Sequence, residues 1–261
     1  MRLCTLNVHM WSDASGRTNV DRLIELLAGL RCDAVALQEV TRDGPQLARL
    51  ADALGMGFAL AAASWLGNAL LSPHPLAAVE EAEVTMGMEE GRCAAIATVR
   101  TPEGDLDVCA THLDPLYEET RVGELERLLA ALARRDAAHV VMGDFNALRP
   151  SDYGPAALAA IAEKRARHDR EEPRGEAVAR MDTAGYVDLF RRARAVDDAG
   201  YAEALARPLP HEARSTCWAG TRIDYVWGSA GLARRFRVRA AEVVETSATD
   251  HAAVVVDLAA V

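Results

Sequence analysis

Apolar and amphipathic segments alternate along the chain, and their spacing predicts both strands and helices. Nearly continuous apolar runs predict buried strands at residues 2–8, 33–40, 57–62, 68–72, 76–85, 139–142, 215–218, 223–228, 237–245 and 253–258. Residues 92–100 and 106–112 flank the turn sequence TPEGD and predict a hairpin. Apolar residues at helical spacing predict helices at 45–54, at 118–135 and from Val20 onward, where Asn19 can cap the helix.

The pattern changes between residues 151 and 209. This segment is mostly helical in pattern and highly charged, with RARHDREEPRGE in its middle. We interpret it as a solvent-exposed, variable insertion or a mobile loop, and a binding segment is the alternative. No repeat or linker divides the chain, so we expect one domain over residues 1–261. The order of strands and helices is typical of two sheets packed face to face with helices outside.

Composition excludes several classes of protein. Half of the 261 residues are apolar and 26% are charged, which does not fit a disordered, collagen-like or coiled-coil chain. The net charge of −10 argues against a protein that coats nucleic acid in general, but it does not exclude local basic patches. No apolar run approaches the roughly 20 residues of a membrane-spanning helix.

Cysteine usage and the start of the chain suggest a compartment. The five cysteines are widely spaced and form no CxxC motif, which argues against a disulfide framework and against a zinc site. The opening sequence MRLCTLNVHMW lacks the pattern of a secretory signal and already resembles a strand. We therefore expect a cytoplasmic protein.

Polar residues interrupt several apolar strands at or near their ends. They are Asn7, Glu39, His112, Asp144 with Asn146, Asp224, and Asp250 with His251. Each is costly to bury without a partner, so their repeated occurrence suggests that the strand ends converge on one site. Carboxylate oxygens suit Mg²⁺ or Mn²⁺, and Asp with His supplies an acid and a base. These residue types favour metal-assisted hydrolysis of a phosphate ester.

The ordered set of motifs TLNV, LQEV, GNALLS, THLD, GDFNA, RIDYVW and TDH resembles the endonuclease/exonuclease/phosphatase superfamily. The resemblance extends over nearly the whole chain. It implies an α/β fold of the DNase I-like type, a four-layer α-β-β-α sandwich with the site at one edge of the two sheets.

The resemblance also implies roles for the residues of the metal and nucleophile side. Glu39 resembles the principal Mg²⁺ ligand, and Asn7 beside it would bind metal or phosphate. Asp250 would add a metal contact. Asp144 would orient and deprotonate the attacking water, and Asn146 would hold a phosphate oxygen.

The histidines receive complementary roles from the same resemblance. His251 would bind the phosphate and stabilise its developing charge, with Asp224 hydrogen-bonded to the far side of the ring. His112 is a candidate general acid for the leaving group. From the residues alone, Asp224 could instead pair with Arg222, and His112 could be structural.

The substrate is the least defined part of this interpretation. The chain has His9 where class II AP endonucleases typically carry an acidic residue, and His112 where they use tyrosine, so the abasic-site reading is weakened. His9 and Asn68 are candidate substrate-binding residues, and Trp218 and Tyr225 are expected in the core or at the rim. We expect a Mg²⁺-dependent (alternatively Mn²⁺-dependent) phosphoesterase acting on a mono- or diester.

The main alternative is a DNA or RNA nuclease or a DNA-end-processing phosphodiesterase, which the charge does not favour. A non-enzymatic binding module would be expected to lack motif residues, and this chain retains the main ones. The pattern carries no information on oligomeric state.

Overall fold

The computed structural model describes residues 1–85, 92–135 and 138–261. Within them the chain forms twelve strands: β1 (Arg2–Asn7), β2 (Ala34–Thr41), β3 (Gly57–Ala61), β4 (Leu66–Ser72), β5 (Leu76–Glu83), β6 (Cys93–Thr101), β7 (Gly104–His112), β8 (His139–Asp144), β9 (Val187–Asp188), β10 (Asp224–Gly228), β11 (Phe236–Val244) and β12 (Ala253–Ala260). The described helices are α1 (Val20–Leu30), α2 (Gln46–Leu54), α3 (Glu118–Leu132), α4 (Pro155–Arg167), α5 (Glu176–Thr183), α6 (Leu189–Arg192), α7 (Asp198–Ala206) and α8 (His211–Arg214).

The strands form two six-stranded sheets that pack face to face. The first sheet has the order β11-β12-β1-β2-β4-β3, and the second has the order β5-β6-β7-β8-β10-β9. A buried apolar cluster that includes Leu3, Ala97 and Val226 lies between them. The other faces carry helices: α1 and α2 cover the first sheet through Leu23 and Leu50, and α3 and α5 cover the second. This is the expected four-layer α/β sandwich of the DNase I-like type, and the sequence-based fold class is confirmed.

Two local predictions are wrong. Residues 215–218 form no strand, because this loop folds back so that the Thr216 amide donates to the carbonyl of Thr221; a single bridge joins Cys217 to His251. Asn19 precedes α1 but does not cap it. Its side-chain amide instead donates to the carbonyls of Val8 and Ser12 and closes the turn after β1.

The charged segment between β8 and β10 is helical, as the pattern predicts. It contains α4 to α8, and α4 has no buried residue. Other parts of the segment are buried, because Asp152, Asp188 and Arg191 belong to one salt-bridge network. Its interpretation as an insertion remains a prediction. No helix in the described part of the chain is long and apolar enough to cross a membrane.

Gly143 is required by the close approach of β7 and β8. Its φ is +156°, and a Cβ at this position would collide with the backbone carbonyl of Thr111. We expect Gly143→Ala to lower the free energy of unfolding by at least about 2 kcal/mol, the scale of overpacking in a rigid core. Urea denaturation measures this effect. Gly29→Ala in α1 is the matched control, because its Cβ meets no atom within 4 Å; helix propensity predicts a gain of about 0.5–1 kcal/mol. Equal stabilities of the two variants would contradict the packing argument.

Candidate active site

The register of the second sheet gathers three of the expected site residues at one edge. His112 ends β7 and is the parallel partner of Asp144, which ends β8. Asp224 begins β10 and is the antiparallel partner of the same Asp144. In the first sheet, Asn7 ends β1 beside β2, and His251 lies just before β12. The strand termini of both sheets therefore converge at this edge.

Asn7 links the two sheets at the centre of the site. Its side chain is buried, and its Nδ2 donates to Glu39 Oε1 at 2.9 Å and to Asp144 Oδ2 at 3.2 Å. Its Oδ1 accepts a hydrogen bond from the backbone amide of His9 at 2.9 Å. Glu39 and Asp144 therefore accept hydrogen bonds from the same amide group, which holds the two carboxylates close to each other.

Glu39 lies inside β2, where the sequence placed it at a strand end. The pairing of β2 with β4 shifts register between Leu37 and Val40, and Glu39 adopts a φ of +56°. A positive φ is costly for a residue with a side chain and is commonly retained at functional sites. The bulge places a partly exposed carboxylate over the edge of the sheet instead of in the core.

Asp224 and His251 form a buried ion pair. His251 Nδ1 donates to Asp224 Oδ2 at 3.0 Å, and Asp224 is fully buried. Burial opposes a charge on the imidazole. The negative charge and the hydrogen bond of Asp224, together with the negative charge of Asp144, outweigh burial, so the pKa of His251 is raised well above its ordinary value. His251 is therefore an imidazolium at neutral pH, and its Nε2 lies 3.8 Å from Asp144 Oδ2.

The carboxyl of Asp144 is also perturbed. Burial raises its pKa and the neighbouring Asp224 raises it further, to about 7, while His251 and the amide of Asn146 act in the opposite direction. A carboxyl with a pKa near neutrality is a stronger base than an ordinary aspartate. Asp144 Oδ1 is held in place by the Asn146 backbone amide at 2.9 Å.

His112 and Asn146 interact directly. Asn146, at a φ of +50°, donates through Nδ2 to His112 Nε2 at 3.0 Å and to the Leu113 carbonyl at 3.1 Å. Burial lowers the pKa of His112 well below its ordinary value, and the charges of Arg92 and His251 lower it further. Because His112 is neutral and its Nε2 accepts a hydrogen bond, this geometry does not favour a general acid.

The remaining expected residues differ in exposure. His9 Nδ1 is 3.6 Å from Asp250 Oδ1, and both side chains are partly exposed. Asn68, in β4, is 3% exposed and donates to the Cys93 carbonyl at 2.7 Å. Trp218 is 73% exposed at the rim, and Tyr225 is fully buried.

Asp224 does not pair with Arg222. The Arg222 guanidinium donates to Asp152 and Asp188, in both cases at 2.6 Å, and all three side chains are buried. This network attaches the helical segment to the start of β10. Since its partners lie 34 and 70 residues away from Arg222, no local sequence pattern could have assigned them.

The sequence analysis does not identify two threonines that support the site and one arginine that lies beside it. Thr249 donates to the Asn7 carbonyl at 2.9 Å and fixes the loop that carries His251. Thr216 accepts hydrogen bonds from the amides of Ile223 and Asp224. Arg92 lies next to Asn68 and His112 at the edge of the site. Thr249 could have been found because it is the first residue of the TDH motif, whereas no sequence pattern marks Thr216 or Arg92.

The donor set fits a divalent cation. Glu39 and Asp144 supply hard carboxylate oxygens, the ligands that Mg²⁺ and Mn²⁺ take. Asp144, Asp224 and His251 also have ligand atoms within 4.8 Å of one another. In that trio, however, Asp224 Oδ2 and His251 Nδ1 are already joined by a hydrogen bond, which suits acid–base chemistry better than ligation by these two atoms.

Comparison with known proteins agrees with this architecture. The model of the Endonuclease/Exonuclease/phosphatase family matches residues 4–251. Because this match covers nearly the whole chain, the chain belongs to the endonuclease/exonuclease/phosphatase family, whose members are hydrolases acting on phosphoester bonds. No curated protein sequence matches the chain.

Solved structures of the same fold are similar at low sequence identity. An endonuclease/exonuclease/phosphatase from Beutenbergia cavernae superposes with a TM-score of 0.73 at 23% identity, covering 100% of this chain and 71% of the other. The human nocturnin catalytic domain gives a TM-score of 0.70 at 17% identity, covering 100% and 94%. A mannosyl-6-phosphatase from Bacteroides thetaiotaomicron gives 0.64 at 12% identity, covering 99% of each chain. These likenesses concern the fold.

Proposed function

We propose that this protein is a Mg²⁺-dependent phosphoesterase that hydrolyses a phosphate mono- or diester by in-line attack of water, with Mn²⁺ as an alternative cation. The single observation that carries the proposal is the convergence of Glu39 and Asp144 on the amide of Asn7, beside the charged Asp224–His251 pair. A base and a positive charge in one site are what hydrolysis of a phosphate ester by water uses.

Glu39 would be the principal holder of the cation, with Asn7 and Asp250 as further candidates. A divalent cation bound there supplies positive charge to the oxygens of the ester. Asn7 presents its NH₂ group, not its oxygen, towards the carboxylates. Both hydrogens of Asn7 Nδ2 are used by these carboxylates, and its Oδ1 accepts from the His9 amide, so in this arrangement Asn7 orients Glu39 and Asp144.

Asp144 would deprotonate the attacking water. Its elevated pKa, near 7, matches a base that takes up a proton at neutral pH. Asn146 uses both amide hydrogens on His112 and Leu113, so its Oδ1 is the atom left for other partners. An amide oxygen can only accept a hydrogen bond. We therefore assign Asn146 Oδ1 to orienting the attacking water, which donates, and not to holding a phosphate oxygen, which also accepts. His112 would position Asn146.

His251 would bind the phosphate and stabilise the negative charge that builds up in the transition state. Asp224 keeps the ring protonated and fixes its orientation. The imidazolium also offers its Nε2–H towards the space beside Asp144.

A nuclease or DNA-end-processing activity would use the same groups, because one site of this kind accommodates both mono- and diesters. The net charge of −10 favours a small-molecule ester over a polynucleotide.

The cation's role is tested by titrating MgCl₂ against the initial rate on bis(4-nitrophenyl) phosphate. We expect saturable activation, no turnover in EDTA, and a Glu39→Gln variant that needs at least about 10-fold more Mg²⁺, since loss of even an outer partner of a metal site costs that much. Glu103→Gln, in an exposed turn, is the control and should behave like the wild type. Turnover that is independent of divalent cations, or unchanged by Glu39→Gln, would refute this assignment.

A further inference from the structure

A narrow cleft adjoins the site on the side of His112. Its walls are Asn68 of β4, Arg92 and Cys93 at the start of β6, His112 of β7, and the turn before β4 from Ser64 to Gly67. His112 is shared between this cleft and the candidate active site, because its Nε2 lies 3.6 Å from Asp144 Oδ2. One side chain therefore separates the cleft from the carboxylate of Asp144.

Asn68 presents an unused acceptor at this cleft. The side chain is 97% buried, since only 3% is exposed, and its Nδ2 is committed to the Cys93 carbonyl. Its Oδ1 is buried and has no hydrogen-bond partner within the described residues. A buried carbonyl oxygen without a partner is destabilising, and such groups are uncommon unless a ligand or water completes them.

Arg92 presents an unused cation beside it. Its side chain is partly buried, and across residues 1–85, 92–135 and 138–261 its guanidinium makes no hydrogen bond or ion pair. Its charge nevertheless acts on the buried His112, whose pKa it helps to lower. The buried Glu124 also senses this charge, but the Glu124 carboxylate is used by the Asp114 amide at 2.7 Å. The chain has ten more acidic than basic side chains, yet this arginine has no acidic partner among the described residues, and a guanidinium is well suited to bind phosphate oxygens.

We propose that Arg92 forms a second anion-binding subsite beside the acceptor Asn68 Oδ1, which selects phosphate esters that carry a second phosphate group elsewhere on the same molecule. Arg92 donates to the oxygens of this second phosphate, and Asn68 Oδ1 accepts from a hydroxyl or protonated oxygen beside it. Arg92 is thus a specificity-determining residue. This inference rests on the proposed function, because it needs a substrate bound at Asp144.

The subsite is tested with two esters that differ only in the second phosphate. They are thymidine 5′-(4-nitrophenyl phosphate) and the same ester bearing a 3′-phosphate. We expect the wild type to show a KM about 10-fold lower for the 3′-phosphorylated ester, the scale of one charge-assisted contact. Arg92→Ala should raise that KM to the level of the plain ester and leave kcat on the plain ester within about 2-fold, because the contact lies away from the reacting bond. Arg92→Lys should retain part of the preference.

The control is Arg100→Ala, an exposed arginine at the opposite end of β6, which should preserve the preference. Calorimetric binding of thymidine 3′,5′-bisphosphate against thymidine 5′-phosphate, with Ca²⁺ present, gives the same comparison without turnover. About 10-fold tighter binding of the bisphosphate, lost in Arg92→Ala, supports the subsite even if neither ester is hydrolysed, in which case only the proposed function fails. Equal binding of both nucleotides, or a preference that survives Arg92→Ala, overturns the subsite. An equal loss of kcat on both esters also overturns it.

Discussion

Asp144→Asn is expected to lower kcat/KM on any ester that the protein hydrolyses by about 10²–10⁴-fold, the usual contribution of a general base. Asparagine preserves the size of the side chain and can still accept the hydrogen bond that the Asn146 amide donates to Oδ1. It cannot take a proton from water. The substitution also removes the negative charge that faces His251 Nε2, so the imidazolium loses one of the two carboxylates that stabilise it.

The measurement is steady-state hydrolysis with urea denaturation of the same preparation. The fold should remain, because the backbone pairing of β8 with β7 and β10 does not involve the carboxylate. Asp198→Asn, at the exposed start of α7, is the matched control and should keep the wild-type rate. If Asp144→Asn hydrolysed the ester within 3-fold of the wild-type rate, Asp144 would not be the base.

Asp224→Asn is expected to displace the pH–rate profile towards acid. In the wild type, Asp224 outweighs the effect of burial and raises the pKa of His251, so the charged ring persists into the alkaline range. Removing that carboxylate lowers the pKa of His251, and the alkaline limb moves to lower pH. Asp224 also contributes to the raised pKa of Asp144, which is about 7, so the acid limb moves in the same direction.

Each limb should move by about one pH unit or more, the scale of an opposite or like charge at hydrogen-bond distance. The rate at pH 8 should fall by about 10–100-fold as His251 becomes neutral. Profiles of kcat/KM from pH 5 to 10 measure both limbs. A variant that loses rate equally at every pH would indicate that Asp224 only supports the fold, and the account of His251 would then be wrong.

The layers of the fold could be predicted from the chain because each element has a strong local period. The helix from Val20 and the strand at 253–258 have unambiguous apolar patterns, and both appear in the structure. Residues 215–218 were misassigned because a short apolar run has no period of its own, and its carbonyls and amides are used within a tight loop. Asn19 illustrates a related limit: a capping residue type also fits a turn, and tertiary contacts determined which one formed.

The site could be predicted in its members but not in its details. Asp144 and Asp224 were identifiable because a carboxylate beside a buried strand is costly without a function or a partner. The pKa of His112 is lowered mainly by burial, to which the charge of Arg92, 20 residues earlier in the chain, adds, so no local pattern indicates it. Arg92 itself resembles any other arginine near a turn until the cleft around it is visible.

The most direct test is a panel of phosphate esters offered to the purified protein with Mg²⁺, alongside the Asp144→Asn variant. The panel contains nucleoside and sugar phosphates, bis(4-nitrophenyl) phosphate, and single- and double-stranded DNA and RNA. We expect Mg²⁺-dependent release of phosphate or nitrophenol from at least one small ester, with that release reduced by about 10²-fold or more in the variant. Hydrolysis that is as fast in Asp144→Asn as in the wild type, or no hydrolysis of any member of the panel, would contradict the proposed function.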